Sequence, residues 1–432
     1  MNERNTLKYV DGILNIGGVN ADELAKKYST PLYVYDQKHI EDMCQTFKMA
    51  LENYYGNGMI SYASKAFCCK EIYRLIKKYS IGADVVSEGE LYTALSVNFP
   101  AENIIFHGNN KSYNELLFSV KSKVKYIVID SYLEADMLDE ICKELKTYQS
   151  VMIRINPGVE AHTHKFIQTA RTDSKFGFSI DNGDAIDIVK YVRSKSNLNL
   201  VGLHCHIGSQ IFENKSFLMA IEKMMQFYSV CKKELNMQFS VLDLGGGFGI
   251  YYSGNDPKLR LSDYDECVKS ISEKVIACVE KFNLSKPYLI LEPGRAIVGE
   301  AGVTLYTIGS IKSIKDVKDY ISIDGGMFEN PRYALYQAKY LIKPVVDKVN
   351  YNFTYSVAGK CCESGDLIAE DISLPNMKNG DLLAVFSTGA YNYSMASNYN
   401  RNFIPAVVMV KDGISRVVVK RQNHDDLIKN DI

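Results

Sequence analysis

Lys65 closes an apolar run, YASKAF, and a lysine in that position invites chemistry. A lone lysine is ordinarily a solvated surface charge. At the end of an inward-facing strand, desolvation lowers its pKa and frees a neutral amine to act as a Schiff-base nucleophile. HCHIGSQ, residues 204 to 210, ends another run. His204 and His206 would share one face there, because strand side chains alternate. Such a pair suits a metal, a satisfied core or a ring stacked on a cofactor. With no third ligand evident, no metal is expected. The glycines of DLGGGFG, residues 243 to 249, Gly246 and Gly247 among them, let backbone amides approach an anion at a strand-to-helix turn. EPGRAIV, residues 292 to 298, sets Gly294 and the cation Arg295 beside Glu292. Glycine turns also serve ordinary loops, and a glutamate at a strand end can be a surface charge. Together, however, the two glycine turns fit a phosphate site built from the last loops of a barrel. Glu292 fits a carboxylate that keeps a pyridinium nitrogen protonated, making the ring a better electron sink.

These groups need a scaffold that brings strand ends together. Between residues 58 and 298, eight β-rich runs alternate with helical stretches: MISYASKAF, IGADVVS, NIIFHGNN, YIVIDS, VMIRINPG, VGLHCHIGS, VLDLGGGFG and YLILEPGRAIV. Alternation of this kind implies right-handed crossovers and a parallel sheet. Eight units over this length fit a closed (β/α)8 TIM-like barrel, with an open doubly wound sheet as the alternative. KEIYRLIKKY, ELLFSVKSKV and SFLMAIEKMMQFYSVCKKEL space apolar residues three and four apart, as amphipathic outer helices do. After residue 300 the pattern turns to short strands and turns, read as a C-terminal all-β antiparallel sandwich or barrel.

A chain of 432 residues exceeds one ordinary core, so two domains are expected. Fifty Lys and Arg against 51 Asp and Glu leave no electrostatic footprint for nucleic acid or an anionic membrane, which points to a small-molecule ligand. The polar amino terminus and the absence of any long apolar run predict a cytoplasmic protein. Ten cysteines, including the neighbours Cys68/Cys69 and Cys361/Cys362, form no disulfide framework and read as reduced thiols.

The ordered series YASKAF, GADVVSEGEL, SKFGF (174 to 178), HCHIGSQ, DLGGGFG, EPGRAIV, DGGM (324 to 327), PRYALY (331 to 336), CESGD (362 to 366) and STGAY (387 to 391) resembles the alanine-racemase-type, fold III pyridoxal-phosphate enzymes. Within them it is similar to the diaminopimelate decarboxylases, nearly end to end. The resemblance implies a pyridoxal-phosphate barrel over residues 35–298 and a Greek-key β domain made of 1–34 and 299–432. It implies that Lys65 carries the cofactor covalently, that His206 stacks on its ring and that Glu292 pairs with its nitrogen. Ser209, Gly246, Gly247, the Gly294–Arg295 turn and Tyr391 would hold the phosphate, and Asp84 would belong to the hydrogen-bonding shell near Lys65. CESGD would enter the partner's site in a homodimer with shared active sites, where Cys362 reprotonates Cα after carbon dioxide leaves. The implied reaction is decarboxylation of meso-2,6-diaminopimelate to L-lysine, the last step of lysine biosynthesis.

Substrate choice rests on Arg295 and Arg332, because an arginine fork reads a carboxylate bidentately, and diaminopimelate carries a distal carboxylate that lysine and ornithine lack. Tyr336 and Tyr391 are placed near that carboxylate, and Glu363 opposite the distal ammonium. Two positions depart from the pattern: Tyr333 and Lys360 stand where proline is usual. Both bear on loop shape. The alternatives are a decarboxylase of another basic amino acid, a racemase on the same barrel and a non-catalytic relative; the last predicts loss of Lys65 or Cys362, and both are present.

Overall fold

The computed structural model describes residues 6–159, 175–254 and 256–432. Residues 1–5 and Ser174, the first residue of SKFGF, lie outside them. The chain forms two compact units. One comprises Met43–Gly249 and Leu259–Gly294; the other comprises Met1–Asp42, Ile250–Lys258 and Arg295–Ile432.

The first unit is the barrel. Its strands are β1 (Gly58–Ala63), β2 (Gly82–Val85), β3 (Ile104–Phe106), β4 (Tyr126–Ile129), β5 (Gln149–Asn156), β6 (Leu198–His204), β7 (Val241–Asp243) and β8 (Tyr288–Leu291). Each pairs in parallel with the next. β8 returns to β1 with Leu289 opposite Gly58, so the sheet is closed and the open alternative falls. All eight expected runs are present. β2 and β3 are buried at every residue, so neither shows the inside-outside alternation of a half-solvated strand. Met59, Ile105, Val128, Met152, Val241 and Ile290 pack together as one apolar cluster.

The three expected helices form at Lys70–Lys78, Tyr113–Ser122 and Asn214–Leu235. Lys70–Lys78 buries Ile72, Tyr73, Leu75 and Ile76, the residues spaced three and four apart. Tyr113–Ser122 starts at a capping box, in which the Ser112 side chain accepts from the Glu115 amide and Glu115 accepts from that of Ser112.

The second unit is β-rich, as expected, and has a mixed sheet. Its order runs Leu367–Leu374, Phe353–Ala358, Lys318–Ile323, Gly302–Ile314, Leu32–Asp36, Val407–Lys411 and Ile414–Val419. Leu382–Phe386 also pairs with Gly302–Ile314. Two pairings are parallel: Lys318–Ile323 with Phe353–Ala358, and Leu32–Asp36 with Val407–Lys411. The wholly antiparallel reading is corrected here, because alternation reports which face a strand buries, not the direction of its neighbour. The core of this unit gathers Leu14, Ile16, Leu24, Leu32, Val34, Val303, Leu305 and Val408. The segment Ile250–Lys258, which the expected boundaries put in the barrel, belongs to this unit. Among the described residues no helix is long and apolar enough to cross a membrane.

Candidate active site

Polar residues collect at the carboxyl ends of the barrel strands, where this architecture places its chemistry. Asp84 lies in β2, Arg154 in β5, His204 ends β6 and Asp243 ends β7. His107 and Glu292 are the first residues after β3 and β8. Glu292 is central. Its Oε1 lies 2.7 Å from His107 Nε2 and its Oε2 lies 3.4 Å from His204 Nε2. His107 Nε2 is also 3.7 Å from Asp84 Oδ1.

Burial alone would raise the Glu292 pKa, but the two imidazoles outweigh it and hold the carboxyl well below the usual range, so it stays ionised. Burial pushes His204 down to about 3, against the pull of Glu292. It also pushes His206 down, aided by the charge of Lys65, which leaves both rings neutral. Asp84 and Asp243 are raised, first by burial; Glu292 adds to both, while His107 opposes the shift at Asp84.

Lys65 sits in the single turn Ser64–Ala66 just past β1. It is exposed while Ser64 and Ala66 are buried, so the expectation of a desolvated amine is not met. The reason is its place beyond the strand end rather than within the strand. The glycine turn after β7 is tightly built: Gly245 N–H donates to Asp243 Oδ1 (2.9 Å) and Gly246 N–H to His206 Nδ1 (3.3 Å). The second bond leaves the other ring nitrogen of His206 to carry its proton. A Cβ at Gly246 would lie 2.1 Å from the Glu292 carbonyl oxygen, and one at Gly247, where φ is +114°, would lie 2.4 Å from that of Gly208. Ser209 follows β6, half-buried, and Gly294 packs against Ala63, where a Cβ would come within 2.8 Å.

The barrel cluster suits pyridoxal phosphate. It offers an amine for the aldehyde carbon, a buried ionised carboxylate for the ring nitrogen and side-chain-free turns for the phosphate. His107, His204, Asp243 and Glu292 also bring ligand atoms within 4.8 Å of one another, a donor set that HCHIGSQ alone did not reveal.

The second unit holds its own cluster. Arg295 and Arg332 are buried, and both donate to one acceptor, the hydroxyl of Tyr252; the Arg332 bond is 3.0 Å. Arg332 Nη1 also donates to Tyr340 Oη at 3.1 Å. Tyr391 lies against both guanidiniums, 4.7 Å from Arg295 and 5.7 Å from Arg332, and the Tyr336 ring is 5.9 Å from Arg332. Among the described residues no carboxylate forms an ion pair with Arg332, so its charge is buried against phenols alone.

Cys362 and Glu363 are exposed. Cys362 N–H donates to Asn400 Oδ1 (2.8 Å), and buried Asp366 pins the loop by accepting from Met327 and Cys361 amides at 2.6 and 2.7 Å. No hydrogen bond or ion pair joins either exposed side chain to Arg332 among the described residues. The two departures from the family pattern each make a bond. Lys360 N–H donates to the Gly325 carbonyl at 2.9 Å, which proline could not do, and Tyr333 Oη donates to Glu370 Oε2 at 2.6 Å. Sequence reading missed His107, Arg154, Asp243, Tyr252 and Tyr340. The first three are polar residues at the ends of apolar strands, a signal that could have found them; the tyrosines carry none.

Residues 37–299 match the family described as pyridoxal-dependent decarboxylase, pyridoxal binding domain. The chain is 46% identical to a diaminopimelate decarboxylase of Bacillus subtilis, over 98% of this chain and 95% of that protein. It is 43% identical to one of Staphylococcus aureus over 99% of each. The crystal structure of diaminopimelate decarboxylase from M. jannaschii with L-lysine superposes with a TM-score of 0.91 at 35% identity, covering 100% of this chain and 99% of that one. With the closed barrel, the strand-end cluster and these likenesses together, the chain belongs to the pyridoxal-dependent decarboxylases and, within them, to the diaminopimelate decarboxylase family.

Proposed function

We propose that this protein decarboxylates meso-2,6-diaminopimelate to L-lysine and carbon dioxide, using pyridoxal 5'-phosphate. The observation that carries the substrate choice is Arg332, a guanidinium 7% exposed that donates to the hydroxyls of Tyr252 and Tyr340. A buried cation without a counter-ion is costly, and the cost falls away when an anionic ligand arrives. A carboxylate far from the reacting carbon is such an anion, and diaminopimelate has one. Decarboxylases of lysine or ornithine have no need of this charge at the far end of the substrate.

Bound pyridoxal phosphate supplies an electron sink for the pair released when the Cα–carboxylate bond breaks. The chain's residues do the rest. The Lys65 amine would hold the cofactor through its aldehyde carbon and give way to the substrate amine. Glu292, kept ionised by His107 and His204, holds the proton on the ring nitrogen. The neutral ring of His206, fixed through its Nδ1, would stack on the cofactor ring, and Asp84 would belong to the hydrogen-bonding shell near Lys65. Ser209, Gly246, Gly247, Gly294, Arg295 and Tyr391 take the phosphate. Arg332, with Arg295, Tyr336 and Tyr391, takes the distal carboxylate, and Glu363 the distal ammonium. Cys362 delivers the proton to Cα. Its place on an exposed loop favours a site completed across a homodimer, and the reading includes a cytoplasmic enzyme that loses the carboxylate from the D-configured centre.

The test is carbon dioxide release from the isomers of diaminopimelate and from lysine, ornithine and arginine. Turnover of the meso isomer, with the three monocarboxylates inert, is the expected result. Faster release from lysine or ornithine would overturn the substrate assignment.

A further inference from the structure

Tyr252 stands between the two guanidiniums and belongs to no motif that the proposed reaction uses. Its backbone is fixed at both ends: its N–H donates to Asp256 Oδ2 (3.1 Å), and its carbonyl accepts from the Leu341 amide (3.0 Å). Its ring meets Tyr340 edge to face at 5.4 Å between centroids. The phenol oxygen has two lone pairs, and each accepts from a different arginine, Arg295 and Arg332. Without such an acceptor, two like charges brought together would repel and turn their forks apart. Burial by itself would raise the phenol's pKa, yet the two guanidiniums bring it below its usual value.

We propose that Tyr252 is a positioning residue for substrate selection, holding Arg295 and Arg332 at one spacing so that they read the distal carboxylate as a unit. The proposal rests on the reading that Arg332 receives that carboxylate. Tyr252 acts through the arginines and need not touch the ligand. A residue that merely filled space would be replaced by phenylalanine without consequence for one ligand over another.

The experiment compares Tyr252→Phe with the parent holoenzyme, using competitive inhibition by two probes. L-Lysine retains a carboxylate beside its distal amine, while 1,5-diaminopentane has none. Tyr252→Phe is expected to weaken L-lysine roughly tenfold or more and to leave 1,5-diaminopentane and cofactor absorbance unchanged. Combining it with Arg332→Lys should give less than the product of the two separate losses, because both act on one contact. Unchanged lysine binding, equal weakening of both probes, or fully multiplicative losses would each overturn the assignment. If the parent itself binds lysine no better than 1,5-diaminopentane, the carboxylate reading of Arg332 fails instead. Should Tyr252→Phe not fold, 4-fluorophenylalanine at position 252 keeps nearly the shape of tyrosine, replaces the hydroxyl with a poor acceptor that cannot ionise, and is expected to give the same selective loss.

Discussion

Replacing Arg332 with methionine separates ligand binding from folding, because among the described residues this buried guanidinium has no acidic partner. In the free protein two effects oppose each other. Removing an uncompensated buried cation relieves a desolvation cost of several kcal/mol, on the order of what a buried ion bears after relaxation. The lost bonds to Tyr252 and Tyr340 cost about 1.5–3 kcal/mol each, as hydrogen bonds to charged groups do. The balance lies near zero, so Tm should stay within about 4 °C of the parent's. Substrate feels only a loss. A charge-assisted, two-pronged contact to its carboxylate is worth about 3 kcal/mol, and kcat/KM for meso-diaminopimelate should fall roughly a hundredfold. Cofactor absorbance should be unchanged. The assay pairs thermal unfolding with carbon dioxide release from the same preparation. A collapse in Tm accompanying the loss of activity would mean that Arg332 is a structural cation, and an unchanged kcat/KM would mean that it does not read the substrate; either result refutes the reasoning.

Two further outcomes are expected, one from a buried histidine and one from the proposed sharing of the site between subunits. Burial holds His204 at about 3 against an ordinary 6.5, so within that window the unfolded chain binds a proton that the native state does not. Stability should therefore fall as the pH drops below about 6.5, by up to about 1.4 kcal/mol per pH unit from this residue; urea midpoints across the window should slope less steeply in His204→Gln, and equal slopes would remove His204 as the cause. Co-expression of Lys65→Ala with Cys362→Ala under distinct tags should restore about a quarter of parental sites, because about half of a random dimer population is mixed and each mixed dimer has one intact site if Cys362 crosses the interface. Confirmed heterodimers no more active than the mean of the two inactive parents would place both residues in the same chain's site.

The sequence by itself determined the alternation of eight strands with helices, because apolar periodicity is a local property that successive units repeat; that the sheet closes into a barrel rather than staying open was decided by the pairing of β8 with β1. It also determined which segments carry chemistry. YASKAF, HCHIGSQ, DLGGGFG and EPGRAIV are short runs whose residues are neighbours in the chain, so their glycines, cations and carboxylates are legible together. Tertiary structure alone decided which side chains from different strands meet. His107 and His204 reach Glu292 from β3 and β6 only because β8 closes on β1. Neither Asp243 nor Arg154 stood out in its own strand as a partner for them. Likewise Arg295 and Arg332 were legible as a carboxylate-reading pair, but nothing local announced that Tyr252 would accept from both. The parallel pairings in the β unit and the exposure of Lys65 were undetermined for the same reason. Side-chain pattern fixes what a segment can form and which face it buries, whereas partner, direction and solvent access depend on chain closure over hundreds of residues.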